Sequence, residues 1–404
     1  MVHELVVKKR ILMLGGSYFQ IPAIKYARDA GYYVITCDYL PDNPGHMHAN
    51  EWHNLSTTDL DGVLDLAKRV NINGIVAYAS DPAAPTAAYV SEQLNLSGNS
   101  YESVKVLTEK DLYRDFLRSN DFNTPLSKGY DNYEKLLADI GRFDFPLMVK
   151  PVDSSGSKGV MRVKEIIDLK NAFEYALTYS RSKRIVVEEF IEKKGAQIGG
   201  DGFVVNGELI FLCLGDQLND LNCNPFVPIG MVFPSSADPI KKTKIHKEIQ
   251  RALSLLDFKQ GAINIEVMFD SQDNIYLMEL GPRSGGNCIP EVIRYATCFD
   301  IIKSSVEVAL GNQIKNHDCT KLNLYHSYYA IHSDKNGILE KIEIAEFLNK
   351  NIIEKHVFKS AGDEVKVFNG SDATLGILIL KYASLEEMIQ ISSNMSEYVN
   401  VELV

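Results

Sequence analysis

The sequence predicts a multidomain protein of mixed class, α/β at its start and α+β beyond. Three observations carry that expectation. The chain has 404 residues, more than one typical core supports, so two or three domains are expected. Between residues 10 and 82, apolar strand-like runs alternate with helically spaced ones. From about residue 119, short strand-like runs follow one another in pairs, with a single clear helix between them.

In "RILMLGGSYFQIPAIKYARDAGYYVITCDYL" (10–40) the run "ILML" reads as a buried strand. Ile21, Ile24, Ala27 and Ala30 have helical spacing, Gly31 closes the helix, and "YVITCD" is the next strand. "LDGVLDLAKRVNINGIVAYASDP" (60–82) repeats helix then strand. Such alternation implies a parallel sheet with helices on both faces, a Rossmann-like first domain over 1–118. Gly15 and Gly16 do not complete G-x-G-x-x-G, although Asp38 ends the second strand where a ribose-binding acid would sit. A nicotinamide site, and with it an NAD-dependent oxidoreductase, stays open beside a scaffold with another task.

The second region, 119–312, reads as strands at 145–150, 160–166, 184–191, 202–215 and 262–281, with a helix at 239–258. Asn206-Gly207 marks a two-residue hairpin. The last region, 313–404, has the strand-like runs "NLYHSYYAIHS", "EVKVF" and "TLGILILKYA" and a helix at 385–394, and reads as a small closing α+β domain.

Composition narrows the function classes. The chain is 45% hydrophobic and 24% charged, with a formal net charge of −11, and it lacks a basic tract, which argues against nucleic acid as partner. No apolar run approaches the roughly 18 residues of a membrane span, and the first residues have no signal-peptide layout, so a cytoplasmic protein is expected. Cys37, Cys213, Cys223, Cys288, Cys298 and Cys319 show no C-x-x-C and no matching histidine spacing. That fits a reducing compartment and argues against a structural zinc.

Three segments point to chemistry. "PVDSSGSKGV" (151–160) sets small residues and a lysine between two strands, longer than a tight hairpin needs. It reads either as a surface loop or as a loop whose open N–H groups face a ligand. Glu266 and Glu279 lie on the two arms of the hairpin 262–281. A turn centred on Gln272-Asp273 places them directly opposite, where like charges destabilise a sheet unless a cation sits between them. A register one residue off would put them on opposite faces. "ELGPRSGGN" (279–287) then adds Arg283, a rigid fork for carboxylate or phosphate, and Asn287, a neutral polar group.

In this order, "FPLMVKPVDSSGSKGV", "IVVEEFI", "INIEV" and "MELGPRSGGN" resemble the ATP-grasp superfamily over about residues 10–312. The similarity lies toward its branch of purine-pathway ligases, carbamoyl phosphate synthetase and biotin carboxylase. The resemblance implies an antiparallel ATP-grasp domain with a lid over about 120–200. It implies ATP and Mg²⁺ as cofactors, with Mn²⁺ as an alternative. Ser154, Ser155, Gly156, Ser157, Lys158 and Gly159 would form a flap on the triphosphate. Lys150 and Lys110 would reach the phosphates, and Glu188, Glu189, Phe190 and Ile191 would frame the adenine. Glu266 and Glu279 would hold Mg²⁺, and Arg283, with Lys150, would serve the chemistry.

Two departures stand out. The family's ribose-binding acid is missing, leaving Gln197 or Asp201, and Gly281 removes a common second-metal ligand, so that either Asn287 substitutes or the second Mg²⁺ is held mainly by phosphates. The implied reaction joins a small-molecule carboxylate to an amine through an acyl phosphate, either as a phosphoribosylglycinamide synthetase-like step or as a general amino-acid ligase. A catalytically silent nucleotide binder is the alternative. The resemblance also leaves a homodimer open.

Overall fold

A computed structural model of the chain describes residues 8–314 and 325–404; Cys319 and the first residues of "NLYHSYYAIHS" lie outside them. The first sheet is parallel, in the order β3-β2-β1-β4, with β1 at Arg10–Leu14, β2 at Tyr33–Asp38, β3 at Glu51–Asn54 and β4 at Gly74–Val76. Ile11, Leu12, Met13 and Leu14 are all buried, as expected of a strand covered on both faces. The helices α1 (Ile21–Asp29), α2 (Leu60–Val70) and α3 (Ala84–Gln93) follow. In α1 the buried stripe is Ala23, Ile24 and Ala27, while Ala30 is the exposed C-cap before Gly31, whose φ is +90°.

Helices α4 (Tyr101–Thr108) and α5 (Lys110–Ser119) lead into a four-stranded antiparallel sheet, β5-β8-β6-β7. Its strands are β5 Ser127–Tyr130, β6 Leu147–Pro151, β7 Met161–Val163 and β8 Ile185–Glu189, packed by α6 (Tyr133–Asp139) and α7 (Leu169–Tyr179). The strand expected over 160–166 shrinks to three residues, so the loop before it stands free of the ladder.

The largest sheet has eight strands, β13-β12-β9-β10-β11-β14-β18-β16. β9 (Ile198–Val205) and β10 (Glu208–Asn219) meet at Asn206-Gly207, both at positive φ, as a two-residue hairpin requires. β11 (Pro228–Phe233), α8 (Pro239–Leu255), β12 (Gly261–Phe269), β13 (Ile275–Gly281), α9 (Ile289–Thr297) and α10 (Ile301–Ala309) complete the central part. The remaining strands are β14 (His326–Ile331), β15 (Gly337–Ile344), β16 (Ile352–Val357), β17 (Glu364–Val365), β18 (Gly376–Lys381) and β19 (Val399–Leu403). They are accompanied by α11 (Leu385–Ser392) and α12 (Met395–Tyr398). The last region thus has its own small sheet, β17-β15-β19, and also lends β14, β18 and β16 to the central sheet through the pairing of β11 with β14.

Gly200 sits in β9, flanked by β12 and β10, at φ +145°, and a Cβ there would run into the Cys213 carbonyl. Neither the backbone angle nor the space admits a side chain. Gly200→Ala should therefore lose about 2 kcal/mol or more of stability, read as a lowered denaturant midpoint at unchanged slope.

Candidate functional site

The site begins with the opposed acids. β12 and β13 pair Phe269 with Ile275 and Val267 with Leu277; the register then shifts, and Glu266 faces Glu279. The expected opposition is present, but by another route. Asp270 Oδ1 accepts the Gln272 and Asn274 N–H groups (both 2.9 Å) and sets a turn one register short. Met278 is the extra residue that restores the pairing. Its carbonyl, displaced by the bulge, accepts from Arg114 Nη1 at 2.9 Å.

Burial, and then the carboxylate of Glu279, push Glu266 up to about 7. Gln197 and Gln217 donate to its two oxygens at 3.0 and 3.2 Å. Two carboxylates held face to face, one braced only by neutral amides, form a donor set suited to a hard divalent cation. Gln217 was not singled out from sequence; it is buried on β10, and only strand pairing brings it here. Gln197 is correspondingly engaged with Glu266, away from the ribose role expected of it.

Above the acids lies a buried ion triad. Glu188 is 1% exposed; its Oε2 meets Lys150 Nζ at 2.6 Å and its Oε1 meets Arg114 Nε at 2.8 Å. Burial would raise this carboxyl, but the charges of Arg114 and Lys150 outweigh it and hold it at about 2. The sequence suggested Glu188 as an adenine ligand. The structure makes it the counter-charge that fixes Lys150, because Arg114, itself buried, arrives from α5. Glu189 turns the other way and accepts the Asp144 N–H at 3.0 Å. Phe190 starts the segment that leaves β8, its N–H donating to Pro146, and Ile191 follows.

The 151–160 loop is pinned at its base, where Asp153 accepts from Ser180 Oγ, Arg181 N–H and Ser182 N–H. Lys110 Nζ donates to the Ser154 carbonyl at 2.6 Å. Gly156, Ser157 and Gly159 have φ of +67°, +58° and +74°, so the backbone curls, and none of the N–H groups from Ser155 to Gly159 donates to another described residue. Such a curl of free amides is an anion cradle. Its tip rests on the far wall: Ser157 Oγ donates to the Phe226 carbonyl at 2.8 Å, and the Gly156 carbonyl accepts the Ser371 N–H at 3.3 Å. Lys158 lies against Gly370.

Arg283 sits with its Nε 2.7 Å from Asp81 Oδ1 and its Nη2 on Asp81 Oδ2, a fork across the boundary to the first domain. Asp201, fully buried, is pushed up to about 6 by that burial, although it accepts the Gly285 N–H and the Asn264 amide, each at 2.9 Å. It buttresses the glycine loop and does not line a ribose site. Asn287, at φ +52°, lies near the buried Tyr328, whose hydroxyl it helps to keep from rising further above its ordinary range. A cleft lined by Asp81, Lys105, Lys110, Tyr113, Ser154 and Glu279 runs from the first domain to the base of the 151–160 loop and to one of the two opposed acids.

Two amides of the first-domain turn are already engaged. The Gly16 N–H donates to Asp38 Oδ2 and the Ser17 N–H to Gln20 Oε1, each at 3.0 Å. Asp38 is thus spent on its own turn, which removes the basis for the nicotinamide reading.

Glu188→Gln strands two buried cations, which should cost about 3 kcal/mol. A depressed carboxyl stabilises above its unfolded value of 4.5. The stability gap between wild type and variant should therefore shrink as pH falls from about 4.5 toward 2, a trend that denaturant titrations at stepped pH would read.

Residues 143–291 match an ATP-grasp domain. An uncharacterised protein of Sinorhizobium fredii, y4rH, is 24% identical over 270 residues, which is 64% of this chain and 54% of that protein. The chain spans about half the length of the curated relatives it matches first. Among solved structures, L-amino acid ligase from Bacillus licheniformis superposes with a TM-score of 0.82 at 21% identity, over 98% of this chain and 99% of that one. Phosphoribosylglycinamide synthetase from Anaerococcus prevotii gives 0.76 at 22% identity, over 98% and 100%. At these identities the structures share a fold. Residues 143–291 thus form an ATP-grasp domain, set in a chain that shares its fold with these structures over nearly its whole length.

Proposed function

We propose that the protein is an ATP-dependent ligase that activates a substrate carboxylate as an acyl phosphate and transfers the acyl group to an amine. The observation that carries this reading is the Glu266–Glu279 opposition beneath Lys150 and the free amides of 155–159. Glu279 and Lys110, a donor for a cation and a positive group for phosphates, line one cleft. Glu266 and Glu279 would hold Mg²⁺, which when bound neutralises the charge of the triphosphate.

The chain's own residues then do the positioning. Lys110 and Lys150 supply positive charge at the phosphate end, and the 155–159 amides offer hydrogen bonds to the transferred group. A carboxylate oxygen attacks the γ-phosphorus and the bond to the β-phosphate oxygen breaks, releasing ADP. The amine nitrogen then attacks the acyl carbon, phosphate leaves, and the nitrogen gives up a proton. The loop tip resting on Phe226 and Ser371 would keep water from the acyl phosphate.

For the carboxylate, an amino-acid class is favoured. The turn of the first domain spends its Gly16 and Ser17 amides on Asp38 and Gln20, which leaves fewer donors there for a phosphorylated substrate. The second reading, glycine joined to phosphoribosylamine, draws on the full-length superposition with phosphoribosylglycinamide synthetase.

Release of ADP from Mg-ATP across a grid of amino acids and other carboxylates crossed with amines, including glycine with phosphoribosylamine, tests both. Release with an amino-acid pair supports the first reading and release with phosphoribosylamine alone the second. ATP-raised melting temperature without release on any pair would favour a silent binder. Glu279→Gln should lower Mg-dependent turnover by at least about a hundredfold, since a metal supplies several kcal/mol. It should also leave the metal-free fold as stable or slightly more so, because a like-charge pair is relieved. Retained turnover would overturn the assignment of the acids.

A further inference from the structure

Away from this cleft, the turn after β10 and the end of β14 bring together an aspartate, a cysteine and a histidine. His332 Nε2 lies 3.1 Å from Asp220 Oδ2, across 112 residues of sequence. Cys223 Sγ lies 3.9 Å from the same oxygen, and one ligand atom from each of the three falls within 4.8 Å of the others. The His332 and Asp220 side chains are only 4% and 14% exposed. The turn is set by its own backbone: Asp220 Oδ1 accepts the Asn222 N–H at 2.8 Å and the Asp220 carbonyl accepts the Cys223 N–H at 3.3 Å. Those bonds leave Oδ2 facing the ring and the thiol.

The other ring nitrogen, Nδ1, lies 2.8 Å from the Ala330 carbonyl. A carbonyl can only accept, so Nδ1 carries a proton. In the neutral ring, Nε2 then aims a lone pair at a carboxylate oxygen. Two arrangements resolve that conflict: a second ring proton, or a cation shared by nitrogen, oxygen and sulfur. The first leaves the Cys223 sulfur with only long contacts, 3.9 Å to Asp220 and 3.8 Å to the Ser333 carbonyl. The second uses all three donors, and a ring N–H given to a backbone carbonyl is the usual outer support of a metal-bound histidine. Asp334 adds further negative charge near the thiol.

We propose that Asp220, Cys223 and His332 form a binding site for a divalent cation of the zinc class, with solvent in the fourth position. Thiolate and imidazole select such an ion over Mg²⁺, so this site and the Glu266–Glu279 pair sort metals by donor type. Binding expels the thiol proton, and the Nε2 proton where present, to solvent; nothing is oxidised or reduced. The same turn continues to Asn224, hydrogen-bonded to the backbone of Phe368 and Asn369, and to Phe226, on which Ser157 rests. The ion would staple the landing platform of the 151–160 loop to the C-terminal strands.

The test is a Co²⁺ titration of the full chain, freed of metal by chelation and dialysis, in excess Mg²⁺. Expected are one equivalent bound and a thiolate-to-cobalt charge-transfer band, abolished by Zn²⁺ displacement. The band should vanish in Cys223→Ser. Affinity should fall at least about tenfold in Asp220→Asn and His332→Gln, each checked for folding by circular dichroism. Glu279→Gln should keep the band, which separates this site from the cleft acids. Absence of the band in wild type, or its survival in Cys223→Ser, would overturn the proposal and leave an Asp220–His332 ion pair alone.

Discussion

The opposition of Glu266 and Glu279 is the constraint around which the rest of the cleft is arranged. Two carboxylates facing across a strand pair work against the sheet that carries them, and among the described residues no cation forms a direct ion pair with either. Several nearby cations make their direct contacts elsewhere: Arg114 and Lys150 both engage Glu188, and Arg283 engages Asp81, while Lys110 and Lys193 act on Glu266 only through their charge. What reaches Glu266 is the amide pair Gln197 and Gln217, which orients without supplying charge. The matched triad makes Lys150 rigid, while the unmatched pair keeps its capacity for a cation.

The continuous eight-stranded sheet is what lets distant segments close on this pair. Because β11 pairs with β14, the C-terminal strands extend the sheet that bears the acids. That placement sets Ser371 beside Gly156 and Tyr328 beside Asn287. It also sets His356 beneath Tyr18, with His356 Nδ1 and the Tyr18 hydroxyl 2.6 Å apart. The first domain and the last region therefore both touch the central part, and a loop that looked free in sequence is anchored at Asp153 and seated at Phe226.

What could be read from the sequence was what is local. Strand runs such as "ILML" and "RIVVEEFI", the Asn206-Gly207 turn and the long helix over 239–255 carry their period or turn chemistry within a few residues. The half-exposed β15 and the edge strand β16 were not legible, since Lys and Glu alternate in them with few buried positions. Partner choice was illegible too. Glu188 became a counter-charge because Arg114 comes up from another element, and Gln197 and Asp201 were claimed by Glu266 and the glycine loop. Even the correct opposition of the two acids depended on a bulge at Met278 that no turn rule reveals. The Asp220–Cys223–His332 grouping was invisible for the same reason: its spacing fits no metal motif, and only the contact of the 219–226 turn with β14 assembles it.

The departure at Gly281 finds a physical counterpart in Asp81. A Cβ at Gly281 would stand 3.1 Å from Asp81 Oδ1 and within 3.6 Å of the Arg283 guanidinium. A larger side chain there would crowd the Asp81–Arg283 fork, so the glycine makes the room that the aspartate fills. Arg283 in turn already grips a carboxylate in the bidentate manner that a substrate carboxylate would use. A substrate that reaches this guanidinium must share it with Asp81 or displace it. The loop of the first domain that carries Asp81 therefore already occupies this guanidinium, and the contact ties the seating of the first domain to the loop that follows β13.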